Sequence, residues 1–218
     1  MSRNDLKHYY VDDHKELVNR KEIPFRFLAI DFFFDTADAV FSKDRVDVGS
    51  TILLESAIES GLKDKVLDYG CGYGVIAVVL SKLNYETVAI DVTHRAIELT
   101  KINAKKNKVS IDAQLIVDNN VDKYNNSFNS VLLNPPIRAG KAVIYEMFEN
   151  AYDFLIDKGE LFVVIRKQHG AKSAVTKLKS LFSDVQVINK SKGYWIIKSV
   201  KDLTSWRHSD SIYRCMIA

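Results

Sequence analysis

The sequence predicts an open α/β fold, a seven-stranded, mostly parallel sheet with helices on both faces that closes on an antiparallel hairpin and is preceded by a small β-hairpin and helix. Three observations predict it. From residue 65 onward short β-rich runs alternate with longer amphipathic stretches, the pattern of strands joined by crossover helices. A glycine-rich turn, "DYGCGYG" (68–74), links the first of those runs to the first of the helices. The last two runs, "VQVIN" (185–189) and "YWIIKS" (194–199), are separated only by "KSKG", which is too short for a crossover helix and suits a hairpin.

Taken in order, residues 23–41, "IPFRFLAIDFFFDTADAVF", hold two aromatic-rich strand candidates arranged as a hairpin. "STILLESAIES" (50–60) reads as a helix capped by Ser50 or Thr51, since a hydroxyl there can accept from a free backbone N–H. Strands are expected at 65–69, 87–91, 113–118, 130–134 and 160–167, with helices over 73–84, 93–107, 141–156 and 171–182. In the helix over 93–107, Ile97, Thr100, Lys101 and Ala104 recur at helical spacing behind Thr93, a cap. No repeat or flexible linker interrupts the chain. Residues 1–60 are therefore expected to pack as an extension on a main domain spanning 61–203, and 204–218 shows no period.

A chain of 218 residues is long enough to bury one sizeable core. Its 47% hydrophobic and 27% charged residues exclude disordered and fibrous classes. The longest apolar runs, such as "VIAVVL" (75–80), are too short to span a bilayer, and "MSRNDLKHYY" lacks the apolar stretch of a signal peptide. A cytoplasmic location is expected, with no membrane partner. Cys71 and Cys215 lack metal-ligand spacing and the five histidines are scattered, so no metal is expected. A net charge of +3 permits a nucleic-acid partner without requiring one.

The glycine turn carries the first chemistry. Gly70, Gly72 and Gly74 allow positive backbone torsions and close approach of a ligand, while the next helix offers free N–H groups. The dinucleotide fingerprint places its third glycine one position later, where this chain has Val75. Asp68, Asp91 and Asp118 each fall at the carboxyl end of a successive strand. Ligands bind at that edge in open α/β sheets, where a carboxylate can take both ribose hydroxyls or an adenine amine.

This arrangement resembles class I S-adenosylmethionine-dependent methyltransferases, whose Rossmann-like sheet also ends in an antiparallel hairpin. The resemblance implies that Asp68 and Gly70 lie near the methionine end and that Asp91 binds the ribose. It also implies that Asp118 and the Asn119 backbone meet the adenine, with Cys71, Gly72, Gly74, Val92 and Asn134 completing the cofactor pocket. Cys71 has no adjacent His or Lys to activate it and reads as a small buried filler rather than a nucleophile.

"SVLLNPPIRAGK" (130–141) holds two of the three prolines, directly behind Asn134 at a strand end. Prolines fix their own torsions and carry no N–H, so they stiffen the chain where the asparagine meets the crevice. The Asn134 side-chain oxygen and the Pro135 carbonyl form a candidate pair of fixed acceptors for the hydrogens of a planar amine, freeing its lone pair for attack. Their work is positioning and charge stabilisation. Asn-Pro-Pro followed by an apolar residue resembles the signature of methyltransferases acting on adenine N6, guanine N2 or glutamine nitrogen. Ile137 stands where adenine and glutamine enzymes usually carry an aromatic residue.

"NPPIRAGK", with "FSKDRVDVGSTILL" (41–54) and "RKQHGAK" (166–172), resembles the small-subunit ribosomal RNA guanine-N2 methyltransferase family over roughly residues 8–203. That resemblance implies methylation of a guanine exocyclic amine, with 16S rRNA or an assembling small ribosomal subunit as partner. Pro136, Ile137, Arg138, Phe41 and Lys167 are the expected substrate contacts, Phe41 for stacking and the cations for phosphates. The alternatives are an adenine-N6 or protein-glutamine methyltransferase, a non-catalytic ribosome-assembly module, and a nicotinamide-dependent oxidoreductase. Val75 and the terminal hairpin disfavour the last.

Overall fold

The computed structural model describes residues 17, 19–38, 42–117 and 121–204. Strands β1 (Lys21–Phe27) and β2 (Ile30–Thr36) form an antiparallel hairpin in register from Lys21 opposite Thr36 to Phe27 opposite Ile30. Helix α1 (Val48–Glu59) follows. It begins two residues before the expected start, and its cap is Asp47 rather than Ser50 or Thr51. The Asp47 carboxylate accepts from the Ser50 backbone N–H at 3.0 Å, a stronger cap than a hydroxyl because the acceptor is charged.

The main sheet contains β3 (Lys65–Tyr69), β4 (Glu86–Asp91), β5 (Asp112–Leu115), β6 (Phe128–Leu133), β7 (Leu155–Arg166), β8 (Asp184–Ser191) and β9 (Tyr194–Val200), in the order β5-β4-β3-β6-β7-β9-β8. The five strands β3 to β7 run parallel, and β9 and β8 close the sheet antiparallel, the predicted fold. Among the strands, two boundaries depart furthest from expectation. β7 starts at Leu155, immediately after α4 (Lys141–Phe154), because Leu155 is fully buried and pairs with Phe128 before the ladder shifts register toward Ser130. β5 ends at Leu115, short of 118.

Helices α2 (Val75–Lys82) and α3 (His94–Lys106) connect the early strands, and α5 (Ala171–Lys179) precedes β8. Thr93 caps α3 as expected, its side chain accepting from Ala96 N–H at 3.3 Å. Alternation along the strands divides the interior. Val66, Leu132, Phe162, Val164 and Ile196 share one apolar cluster with α1, α2, Leu99 and Ala104 of α3, and the aromatic hairpin. Leu67, Val131, Leu133, Leu161, Val163, Ile165 and Ile197 share the other with residues of α4 and α5.

Phe32 and Phe34 bury their rings against the first cluster, each stabilising the fold by about 1.5–3 kcal/mol. Polar zippering aligns the hairpin. Asn107 accepts from Phe33 N–H at 3.1 Å and donates to Phe33 O at 2.8 Å. Asn103 accepts from Asp35 N–H at 2.7 Å and donates to Asp35 O at 3.0 Å. Four residues of helix rise about 6 Å and two residues of strand about 6.8 Å. The spacings match, so two asparagines one turn apart take the place of a neighbouring strand along β2.

Candidate active site

Strand order reverses between β3 and β6, since β4 and β5 lie to one side of β3 while β6 lies on the other. A crevice opens at the carboxyl ends of such a pair. Register brings the predicted residues to one level. Tyr69 is paired with both Ile90 and Leu133, so the next residues, Gly70, Asp91 and Asn134, end three adjacent strands side by side.

The loop after β3 wraps around Asp91. Gly70 and Cys71 N–H donate to Ile90 O at 2.8 and 3.1 Å. Gly72 N–H donates to Asp91 Oδ2 at 3.0 Å, and Thr93 donates to Asp91 Oδ1 from its backbone at 3.0 Å and its hydroxyl at 3.1 Å. Gly70, Gly72 and Gly74 have φ of 75°, 57° and 85°. At Gly72 a side chain would meet nothing within 4 Å, whereas at Gly74 it would come within 2.8 Å of Thr100 Oγ1. The space beside Gly72 is open, whereas Gly74 is required by packing against Thr100.

Asp68 is buried and its Oδ2 accepts from Ala77 N–H in the first turn of α2 at 3.0 Å. Burial pushes its pKa up to about 7, against the pull of that hydrogen bond and with a further push from Asp91. Asp91 is raised by burial as well, opposed by its bonds from Gly72, Thr93 and Val92. The two neighbouring carboxylates are thus both raised, and a positive charge beside them would oppose the shift. Cys71 is buried, with Sγ 3.4 Å from Thr100 Oγ1, and burial together with the charges of Asp91 and Asp68 pushes its thiol up. Among the described residues its side-chain partners are Gly72 O and the Thr100 hydroxyl, neither of them a base that would activate a thiol.

Asn134 is half-buried and Pro135 buried. Both amide hydrogens of Asn134 are spent on the start of α1, on Asp47 Oδ2 at 3.1 Å and Ser50 Oγ at 2.9 Å. Sequence reasoning missed these two residues as parts of the site. The signal lay in "VDVGS", whose glycine is sterically required: a side chain at Gly49 would come within 2.7 Å of Asp47 Oδ2 and 2.9 Å of Tyr194 Cε1.

Pro136 and Arg138 are exposed beside Asn134, and Ile137 packs half-buried against the core shared with α4 and α5. Lys167 is exposed just past β7. Phe41, Asp118 and Asn119 lie outside the described residues. Among those described, no group of three or more His, Cys, Asp or Glu is placed to hold a metal. No described helix is long and apolar enough to cross a membrane.

A doubly wound sheet closed by an antiparallel hairpin, with a glycine loop and paired carboxylates at its switch point, defines the Rossmann-like methyltransferase fold. Within that class, the chain belongs to the methyltransferase small domain family, which matches residues 31–198. A Bacillus subtilis relative, the uncharacterized protein YbxB, is 42% identical over 89% of this chain and 98% of its own length. The ribosomal RNA large subunit methyltransferase G of Psychromonas ingrahamii is 27% identical over 83% of this chain and 51% of its own. The ribosomal RNA small subunit methyltransferase C of Serratia proteamaculans is 40% identical over 48% and 30%. Among solved structures, the T. thermophilus 16S rRNA N2 G1207 methyltransferase RsmC, in complex with AdoMet and guanosine, aligns with a TM-score of 0.76 at 23% identity, over 86% of this chain and 51% of that one. The chain thus spans about half the length of the large-subunit methyltransferase and of the T. thermophilus enzyme.

Proposed function

We propose that this protein is an S-adenosylmethionine-dependent methyltransferase that modifies the exocyclic N2 amine of a guanine in small-subunit ribosomal RNA. When bound, S-adenosylmethionine supplies an electrophilic methyl group carried on a sulfonium. The residues present suit it: Asp68 with Gly70 at the methionine end, Asp91 for the ribose, and the loop of Cys71, Gly72 and Gly74 with Val92 lining the pocket. Asp118 and the Asn119 backbone take the adenine in this reading.

The observation that carries the acceptor chemistry is the double anchoring of Asn134. With both N–H groups engaged by Asp47 and Ser50, the amide cannot flip, and Asn134 Oδ1 is held as an acceptor. Asn134 Oδ1 and the Pro135 carbonyl accept the two hydrogens of the substrate amine and orient its lone pair. As positive charge develops on that nitrogen, the two oxygens stabilise it in place, without reorganisation. The negative charge of Asp47 behind the amide strengthens Oδ1 as an acceptor. Arg138 and Lys167 meet phosphates and Phe41 stacks on the base. Pro136 and Ile137 fill the edge of the base site; Ile137, packed on the core, offers no aromatic face. Ribosomal RNA as the acceptor is supported by the small- and large-subunit ribosomal RNA methyltransferases to which the chain is similar.

The test is incubation of the protein with labelled donor and separate small-subunit RNA, large-subunit RNA and protein fractions, followed by nucleoside analysis. N2-methylguanosine in the small-subunit RNA is the expected product, lost in Asn134→Ala while donor binding persists. Label in N6-methyladenosine or in protein alone would overturn the reading.

A further inference from the structure

A shallow groove of about 450 Å³ lies beside the site, lined by Arg166, Lys167, Gln168, Lys172, Lys192 and Gly193. Four of its six lining residues are cations and none is acidic. Among the described residues, none of these four cations has a carboxylate within 4.0 Å. Lys63, Lys65, Lys106, Lys158, Lys177 and Lys198 all do. The positive charge of the groove is therefore not neutralised by the fold.

Topology sets the groove on the same edge of the sheet as Asn134. β7 is the parallel neighbour of β6, with Leu133 opposite Val163, so Asn134 stands level with Val164 and the strand continues to Arg166. β9 pairs antiparallel with β7, Arg166 opposite Tyr194, and Lys167 N–H donates to Gly193 O at 2.9 Å. The turn holding Lys192 is thereby fastened at the carboxyl end of β7. Strands lie about 4.8 Å apart, which places the groove one to two strands from the asparagine.

Arg166 is pre-shaped. Its Nε donates to Tyr194 Oη at 2.8 Å and its guanidinium lies 4.8 Å from the ring centroid, which leaves its terminal N–H groups for an outside acceptor. A side chain at Gly193 would meet nothing within 4 Å, so a ligand can approach the backbone there. An open, unpaired row of one fixed guanidinium and three flexible ammoniums suits successive phosphates on a polymer better than one enclosed small molecule.

We propose that this groove holds the sugar-phosphate backbone of the substrate RNA flanking the target nucleotide, which rests on RNA being the acceptor. Arg166, Lys167, Lys172 and Lys192 contact phosphates and contribute affinity and register rather than base choice.

The test measures binding instead of turnover. A fluorescent RNA carrying the methylated site is titrated at several salt concentrations with the parent protein and with Lys172→Gln/Lys192→Gln. Loss of two phosphate contacts should reduce the slope of log K against log salt by about 1.4–1.8 and weaken RNA binding at low salt, with donor affinity unchanged. An unchanged slope in a variant that still methylates RNA overturns the groove and leaves the function standing. A parent protein that binds and methylates no RNA overturns both. Weakened binding to a poly-glutamate peptide, with RNA binding intact, reassigns the groove to an acidic protein partner and overturns the proposal.

Discussion

Asp47 Oδ2 accepts two hydrogen bonds at once, from the Ser50 backbone N–H that begins α1 and from the Asn134 side chain at the end of β6. The helix cap and the orientation of the proposed acceptor amide therefore depend on one oxygen. Two substitutions separate its roles. Asp47→Asn keeps an oxygen for both bonds and removes only the charge, whereas Asp47→Ala removes cap and anchor together. Asp47→Ala should lower kcat by about 10² by releasing the asparagine and cost about 1 kcal/mol in lost capping. Asp47→Asn should melt near the parent temperature with a smaller loss of kcat. Donor affinity should be unchanged in both. Equal kcat for parent and Asp47→Ala in steady-state assays would remove Asp47 from the positioning role.

Asp68 yields a prediction in pH. Its folded pKa, about 7, lies above the unfolded value of 3.8, so between those values the folded state holds the proton more tightly. The stability from this group is full below about pH 4 and is lost as pH rises through about 7. In the ligand-free protein, Asp68→Asn should flatten that decline and melt above the parent at pH 8. A cationic donor favours the ionised carboxylate, so donor binding should release a proton below pH 7 and tighten as pH rises toward it. Calorimetry in buffers of different ionisation enthalpy reads that release, and Asp68→Asn should abolish most of it.

How far these features were legible depends on whether the partners are near in sequence. The strand runs, the glycine turn and the closing hairpin announce themselves within a few residues of chain, and the fold follows from them. Asp47 and Asn134 are 87 residues apart, and no local pattern joins them; "VDVGS" is visible as a motif, but what its carboxylate grips is not. The cap of α1 was misassigned because Ser50 and Thr51 are good caps in isolation and a charged acceptor three residues earlier outcompetes them. The early start of β7 is hidden because "LIDKG" reads as a polar connection, although Leu155 and Gly159 are buried. Helical periodicity picks out Ile97, Thr100, Lys101 and Ala104, of which Lys101 is exposed, but not Asn103, a polar residue that is nonetheless completely buried.

That asparagine gives a stability prediction. Besides its two bonds to Asp35, Asn103 donates to Tyr73 O at 2.8 Å, and so ties the hairpin, α3 and the glycine loop together. Asn103→Ala leaves several buried backbone groups unpaired, at about 1–3 kcal/mol each before relaxation. A loss of about 2–4 kcal/mol in denaturant unfolding is expected, with weaker donor binding because the loop loses its fastening at Tyr73. Asn107→Ala removes the Phe33 contacts without touching Tyr73 O, and should destabilise the fold while leaving donor affinity nearly intact.

Cys71 offers the last test, because its position in the loop invites a nucleophile reading that its surroundings oppose. The thiol is buried, lies 3.4 Å from the Thr100 hydroxyl, and is held protonated by burial and by the charges of Asp91 and Asp68. Thiolate is the reactive form. In a Cys215→Ser background, Cys71 should react with a thiol reagent far more slowly when the protein is native than when it is unfolded, across pH 7–9. Cys71→Ala should retain methyl transfer within a few-fold, since a small apolar residue fills most of the same space. Rapid native labelling of Cys71, or loss of transfer in a Cys71→Ala protein that melts normally, would return the thiol to the mechanism.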